Sequence, residues 1–484
     1  MKTKNLIKKM AVLSALVLGY FSGSNANNLS ISGTTVSASN ITFNISWDNS
    51  WNTNLAPNNW DAVWVFVKYQ DCATRLWNHA GLSTNGGDHS AAAPLQVDPV
   101  TDGKGVFIRR SALGGGNVTS TSVTLKMTIP AGTYNYKVFG VEMVNIPQDN
   151  FEVGDAASAS TFNSIIITST LQAGGVTSAV LGGSSVNVPA TFPMGYNELY
   201  SMKYEVTQEQ YVEFLNTLTY DQQVARTAVD PISASGTLAI GARAYHNGIV
   251  IMTSGNNNIL PAVYANDQTS GTLNSANDAQ SKACGYLNWG DVAAFLDWAA
   301  LRPMTELEFE KICRGPLARV ANEYVWGSTN LQNVSNASVS NFYTVTEASS
   351  TVANGLCNYY AGASSVGAPM RSGFAATGSS GRESSGATYF GVMEMAANLL
   401  EMTVTTGNAT GVAFTGTLGD GTLTTIGDAN ASTWPTSSAT GTGNRGGCCA
   451  LGSLYCKTSD RTVGANGAAY NTVRNYYNGG RGVR

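Results

Sequence analysis

From residue 320 to the carboxyl terminus at Arg484 the chain shows almost no hydrophobic periodicity and is rich in Gly, Ser, Thr and Asn. A stretch of that length without helical or strand repeats is uncommon inside a compact domain, because every buried amide and carbonyl must still find a partner. It restricts the chain to a loop-rich fold, pinned by metal, tryptophan packing or disulfides. With 43% apolar residues, including 9 Trp, 21 Tyr and 15 Phe, the chain has the side chains to bury large cores.

The amino-terminal third reads differently. Ile41, Phe43, Ile45 and Trp47 alternate with polar residues, as do Val63, Val65 and Val67. The same spacing recurs in Val123, Leu125, Met127 and Ile129, and in Tyr134, Tyr136 and Val138. Period-2 alternation between Gly/Asn/Ser-rich breaks predicts half-buried strands, and residues 27–165 are expected to form an all-β sandwich. Lys68, Arg109 and Arg110 fall at strand ends, where solvated charge is expected. Trp47, Trp51, Trp60 and Trp64 are either core residues or a platform for stacking sugars, and core is the favoured role. Residues 166–190 form a Gly/Ser/Thr/Val-rich connector that includes a strand.

Helical signals come next. Thr207 and Gln210 form a capping box ahead of Tyr211, Phe214, Leu215 and Leu218. Asp291 to Ala300 carries Val292, Phe295, Leu296 and Ala299 on one face. Thr305 and Glu308 make a second capping box before Phe309, Ile312 and Cys313. Arg302, Glu306, Glu308 and Glu310 are read as scaffold rather than as an acid/base set.

Residues 1–26 have the pattern of a cleaved signal peptide: Lys2, Lys4, Lys8 and Lys9, an apolar run from Met10 to Phe21, then Ser24-Asn25-Ala26. Twelve apolar residues are too few to span a bilayer, no other run is longer, and no Cys near the cleavage point offers a lipid anchor. Taking the four lysines from the formal charge of −4 leaves −8. That balance provides no basic patch for nucleic acid. The expected destination is secreted, extracellular or at a bacterial cell surface. The 7 Cys of an exported chain allow up to three disulfides, with one thiol over. The 3 His, at positions 79, 89 and 246, are too few for a His-rich iron, copper or zinc site. No Gly-x-Ser-x-Gly elbow or phosphate loop is present.

Several landmarks fall in one order: Phe192-Pro193-Met194-Gly195; Lys203 to Thr207 with Tyr211 and Phe214; Asn288 to Val292 through Trp298; Arg302 to Glu310 with Arg314-Gly315; Tyr324-Val325-Trp326-Gly327; and Phe390 to Met402. Asn444-Arg445-Gly446-Gly447, Tyr455-Cys456 and Gly482-Val483-Arg484 follow. Together they resemble the formylglycine-generating enzyme (sulfatase-modifying factor) domain over residues 191–484. The resemblance implies an α+β, loop-rich, C-type-lectin-like fold, often with calcium. In that family two cysteines five positions apart bind copper(I), a soft ion suited to thiolates, and oxidise a sulfatase cysteine. Counted from Gly447, the ninth residue matches as Cys456 but the fourth is Leu451. Cys449 or Cys448 is the candidate substitute partner of Cys456, or else a structural staple. Copper is therefore not expected, and no catalytic residue is assigned. The resemblance places calcium at the carboxylates of Glu394 and Glu401 with the carbonyls of Ala397 and Leu399, a set of hard oxygens. The His-dependent iron sites of the related ergothioneine sulfoxide synthases have no counterpart. The expected function is a secreted or cell-surface, non-catalytic binding or structural protein, with a protein or glycan partner and homo-assembly as open options. The alternatives are a copper-dependent cysteine oxidase acting on exported sulfatases and a glycan-binding module.

Overall fold

The computed structural model describes residues 28–484 except 176–177, 182–186, 257–258, 378 and 465–466. The expected signal segment lies outside the described residues. The chain is mixed α/β, dominated by strands, with short helices.

Two sheets face each other. The first joins Ser30–Ser37, Asn40–Asn52 and Gly114–Thr128, with the short Gly81–Leu82 and Ser90–Ala91 strands on Gly114–Thr128. The second runs in the order Leu95–Pro99, Val106–Arg110, Asp61–Asp71, Tyr134–Ile146, Leu199–Met202, Gly482–Val483 and Arg302–Pro303. Ile41, Phe43 and Ile45 from one sheet meet Val63, Val65 and Val67 from the other in a buried core. The alternation read from the sequence is the face that each sheet turns to this core.

The other face of the second sheet is also covered. Ala62, Trp64 and Phe66 share a core with Phe139, Val141 and Met143 and with the helices Gln208–Leu215 and Trp289–Trp298. Trp298 is central to it, with ring centroids 5.1 Å from Phe66, 4.9 Å from Phe139 and 5.4 Å from Phe214. The sheet thus crosses the expected boundary at residues 166–190 without a break. Strands of the amino-terminal part pair directly with Leu199–Met202, and the last strand closes on both Leu199–Met202 and Arg302–Pro303. Within the connector, Ile165–Ile167 pairs with Phe151–Val153.

This double burial overturns the expectation for Lys68. Its side chain is 2% exposed, and its ammonium donates to the carbonyls of Trp298 (2.8 Å) and Gly421 (2.6 Å). It therefore caps the carboxyl end of the Trp289–Trp298 helix, where a cation complements the helix dipole. Burial pushes its pKa well below the usual lysine range, against the pull of Asp297 and Asp420. Arg109 pairs with Asp98 at 2.6 Å and stacks over Trp60.

The helix starts follow the sequence. Thr207 accepts from Gln210 N, and Gln210 Oε1 accepts from Thr207 N; Thr305 and Glu308 repeat the arrangement. Asn288 caps the middle helix in the same way with Asp291. Each cap contributes about 1 kcal/mol.

The loop-rich region is not held by disulfides: all seven cysteines are free thiols. Buried ion pairs hold it instead. Glu306, on the Glu306–Arg314 helix, accepts from Arg461 Nε (2.7 Å), Thr405 Oγ1 (2.7 Å) and Thr406 N (2.8 Å). Arg445 donates to Glu310 Oε1 (2.7 Å) and Thr458 O (2.7 Å), and Arg314 pairs with Glu323. One helix thereby anchors the segments around residues 405, 445 and 461.

Candidate functional site

Gly446 and Gly447 take left-handed φ values of 83° and 71° and lay the backbone over Cys456. A Cβ on Gly447 would lie 2.8 Å from the Cys456 sulfur, so the second glycine is required by close approach as well as by φ. The turn is fastened by Ala397 N to Gly446 O (2.7 Å) and by Cys449 N to Asn398 O (3.0 Å). Leu451 follows at the end of a tight turn, its N donating to Cys448 O (3.1 Å) and its carbonyl accepting from Tyr360 N (3.0 Å).

Cys448, Cys449 and Cys456 are all fully buried. Cys449, one of the two substitute partners expected for Cys456, has its chain neighbour Cys448, Glu205 and Lys282 as the charged or titratable groups acting on it. The thiols within electrostatic reach of Cys456 are Cys357 and then Cys448. Cys357 lies on the short Leu356–Cys357 strand, and no spacing rule links it to Cys456. Burial pushes the thiols of Cys449 and Cys456 well above the usual range, and that of Cys448 to about 12. Near neutral pH these groups are protonated thiols, whereas both nucleophilic attack and metal ligation need the thiolate.

Glu401 lies on the Leu400–Val404 strand and is closed by Arg481. Arg481 Nε sits 2.8 and 2.9 Å from the two carboxylate oxygens, and both side chains are fully buried. Glu394 is buried with φ of 53°; Oε2 has no hydrogen-bond partner, and burial raises its pKa to about 7. Ala397 and Leu399 contribute their amides to the loop's own bonding, to Gly446 O and Glu205 Oε1 respectively. Of the two carboxylates expected to hold calcium, Glu394 has an orphaned oxygen, but that of Glu401 is already engaged by the Arg481 guanidinium. The set does not fit the ion as expected. The residue missed by the sequence reading is Glu205. Its carboxylate accepts from Leu399 N (3.0 Å), Asn398 Nδ2 (2.6 Å) and Ser372 Oγ (3.1 Å) and so clamps the same loop.

Tyrosines line the surface beside the buried thiols. Tyr476 stacks on Tyr245 at 4.0 Å, meets Tyr477 edge-on at 5.0 Å, and has Tyr286 at 6.5 Å. Tyr476 and Tyr477 both lie within electrostatic reach of Cys448. Tyr245 is 41% exposed, and Tyr286 holds φ of 63°, a strained value for an aromatic residue. His246 continues the strip toward Tyr343, 5.2 Å away. Burial and the neighbouring Lys282 lower its pKa to about 4, so it is neutral. The amino-terminal tryptophans form no such surface. Trp47 and Trp64 are buried, with their Nε1 groups bonded to Asp61 and to the Ala299 carbonyl. Trp60 donates to Tyr200 and Trp51 to Asn59.

A strand-rich mixed α/β chain with a Gly-Gly turn packed on a buried cysteine is the class that fold and site define. A match to the sulfatase-modifying factor enzyme 1-like domain spans residues 134–466. The chain belongs to that family. The match begins at the first residue of the Tyr134–Ile146 strand, inside the segment expected to form a separate sandwich. No curated protein matches the chain. Among the described residues, no helix is long and apolar enough to cross a membrane.

Proposed function

We propose that this protein is a non-catalytic binding protein, exported to the cell surface or secreted, that uses a C-type-lectin-like sulfatase-modifying-factor scaffold to present a ligand face. The amino-terminal sandwich buttresses that scaffold. One observation carries the reading: Leu451 stands where the family's first thiol is expected, and the thiols left nearby are buried and protonated. An isobutyl group neither ligates copper(I) nor exchanges a disulfide.

The test is copper. Purified protein titrated with copper(I) against a chromogenic chelator is expected to retain none. No oxygen uptake is expected with a cysteine-containing peptide. Copper retention that disappears in Cys456→Ser would overturn the proposal in favour of a cysteine oxidase, with Cys357 or Cys448 as the second ligand.

The tyrosine strip favours a glycan as the ligand class. Its rings are half-exposed, uncharged and tipped with hydroxyls, the combination that stacks on sugar faces and hydrogen-bonds their edges. A glycan array with the full chain is expected to give hits that Tyr476→Ala abolishes. Hits that survive Tyr476→Ala and Tyr245→Ala would refute the assignment to this strip.

A further inference from the structure

We propose that Arg481 is the resident cation of the 393–401 loop: its guanidinium takes the Glu401 carboxylate that the resemblance assigns to calcium, so the loop orders without a divalent metal. The contacts form a closed oxygen shell. Nε reaches both oxygens of Glu401 (2.8 and 2.9 Å), and Nη2 lies 2.5 Å from Glu401 Oε1 and donates to Met393 O (2.8 Å). Nη1 donates to Met202 O (3.2 Å) and Lys203 O (3.1 Å). One carboxylate and three backbone carbonyls are the donor types that calcium selects. Here they are spaced for the flat fork of a guanidinium, which holds its charge at every accessible pH. Both side chains of the pair are fully buried.

The cage joins distant parts of the chain. Met393 and Glu401 flank the loop, Met202 ends the Leu199–Met202 strand and Lys203 follows it, and Arg481 precedes the closing Gly482–Val483 strand. A metal ion bridging these segments would do the same work; the arginine does it as part of the chain. Glu205 holds the loop from the other side through Leu399 N and Asn398 Nδ2. Glu394, with its unbonded Oε2, stands within electrostatic reach of Arg481. Removing the guanidinium would leave Glu401 and Glu394 facing an empty cage of carbonyls, which is an incipient site for a hard divalent cation.

The experiment begins with the unaltered protein. Its melting temperature is expected to be the same in EDTA and in millimolar CaCl2, and dialysed protein is expected to carry no stoichiometric calcium by elemental mass spectrometry. A fall in melting temperature on chelation, or one bound calcium per chain, overturns the proposal without any variant. Arg481→Ala is expected to melt about 6 °C or more lower, because a buried carboxylate loses its only counter-charge. Calcium should restore much of that loss, and the double variant Arg481→Ala/Glu401→Gln should not respond. A folded Arg481→Ala that melts like the parent, or that calcium leaves unmoved, also overturns it.

Discussion

Glu306 gives the sharpest test of how the loop-rich region is held. Glu306→Gln keeps the shape but removes the charge and puts an NH2 donor where one carboxylate oxygen accepted. Arg461 then loses its counter-ion, having donated to Glu306 from Nε at 2.7 Å and from Nη2 at 2.8 Å; Arg445 keeps Glu310. Breaking a fully buried pair by neutralising one partner costs about 3–5 kcal/mol. A second route gives a similar figure. Burial pushes the Glu306 pKa up, but Arg461, Arg445 and the Thr405 hydroxyl outweigh it and bring the group to about 2, from an ordinary 4.5. Two to three units at about 1.4 kcal/mol each is about 3 kcal/mol. The folded pKa is depressed, so this stability is fully present above pH 4.5 and is lost as pH falls through about 2. The assay is urea unfolding followed by tryptophan fluorescence at pH 7 and at steps down to pH 2.5. The variant should unfold at clearly lower urea at pH 7, and the gap between variant and parent should narrow below pH 4.5. A loss under about 1 kcal/mol at pH 7, or a gap independent of pH, would refute the idea that this carboxylate anchors the segments around residues 405, 445 and 461.

Other expectations follow from the same geometry. Native protein treated with an aromatic disulfide reagent should release one equivalent promptly, from the exposed Cys72, and six more only on unfolding; prompt reaction of Cys456 would contradict its burial. Trp298→Ala should cost about 3–5 kcal/mol by emptying the space between Phe66, Phe139 and Phe214, read as a fall in the denaturation midpoint. Lys68→Met should cost about 1–3 kcal/mol because the carbonyls of Trp298 and Gly421 lose their donor; a variant as stable as the parent would show those carbonyls are satisfied without it.

Much of the local structure was legible in the residues. Alternation marked Ile41 to Trp47 and Val63 to Val67 as strands because one face of a pleated strand meets a core, and Thr207/Gln210 and Thr305/Glu308 marked helix starts because a short polar side chain satisfies the first free amides. The ordered motifs from Phe192 to Met402, with Arg445-Gly446-Gly447 beyond them, pointed to the family that the match over 134–466 shows. The run Ala62-Val63-Trp64-Val65-Phe66-Val67 also held a clue to its second buried face, since both alternating sets are apolar, as in strands covered on two sides. The site was less legible. Cys357 near Cys456, and Arg481 across from Glu401, bring together residues about one hundred positions apart in the first case and about eighty in the second, along loops with no periodic signal.

What the sequence determined by itself is everything that depends on neighbours a few residues away: strand alternation, helix caps, the glycines that admit left-handed turns, and the presence of Leu451 where a thiol would be needed. Only the tertiary structure decided which acids find an arginine, which thiols lie near one another, and that the amino-terminal strands belong to one sheet with the closing Gly482–Val483 strand. The physical reason is range. Caps and pleats are satisfied within one turn or one strand, whereas a buried charge is stabilised by whatever partner the whole fold carries to it.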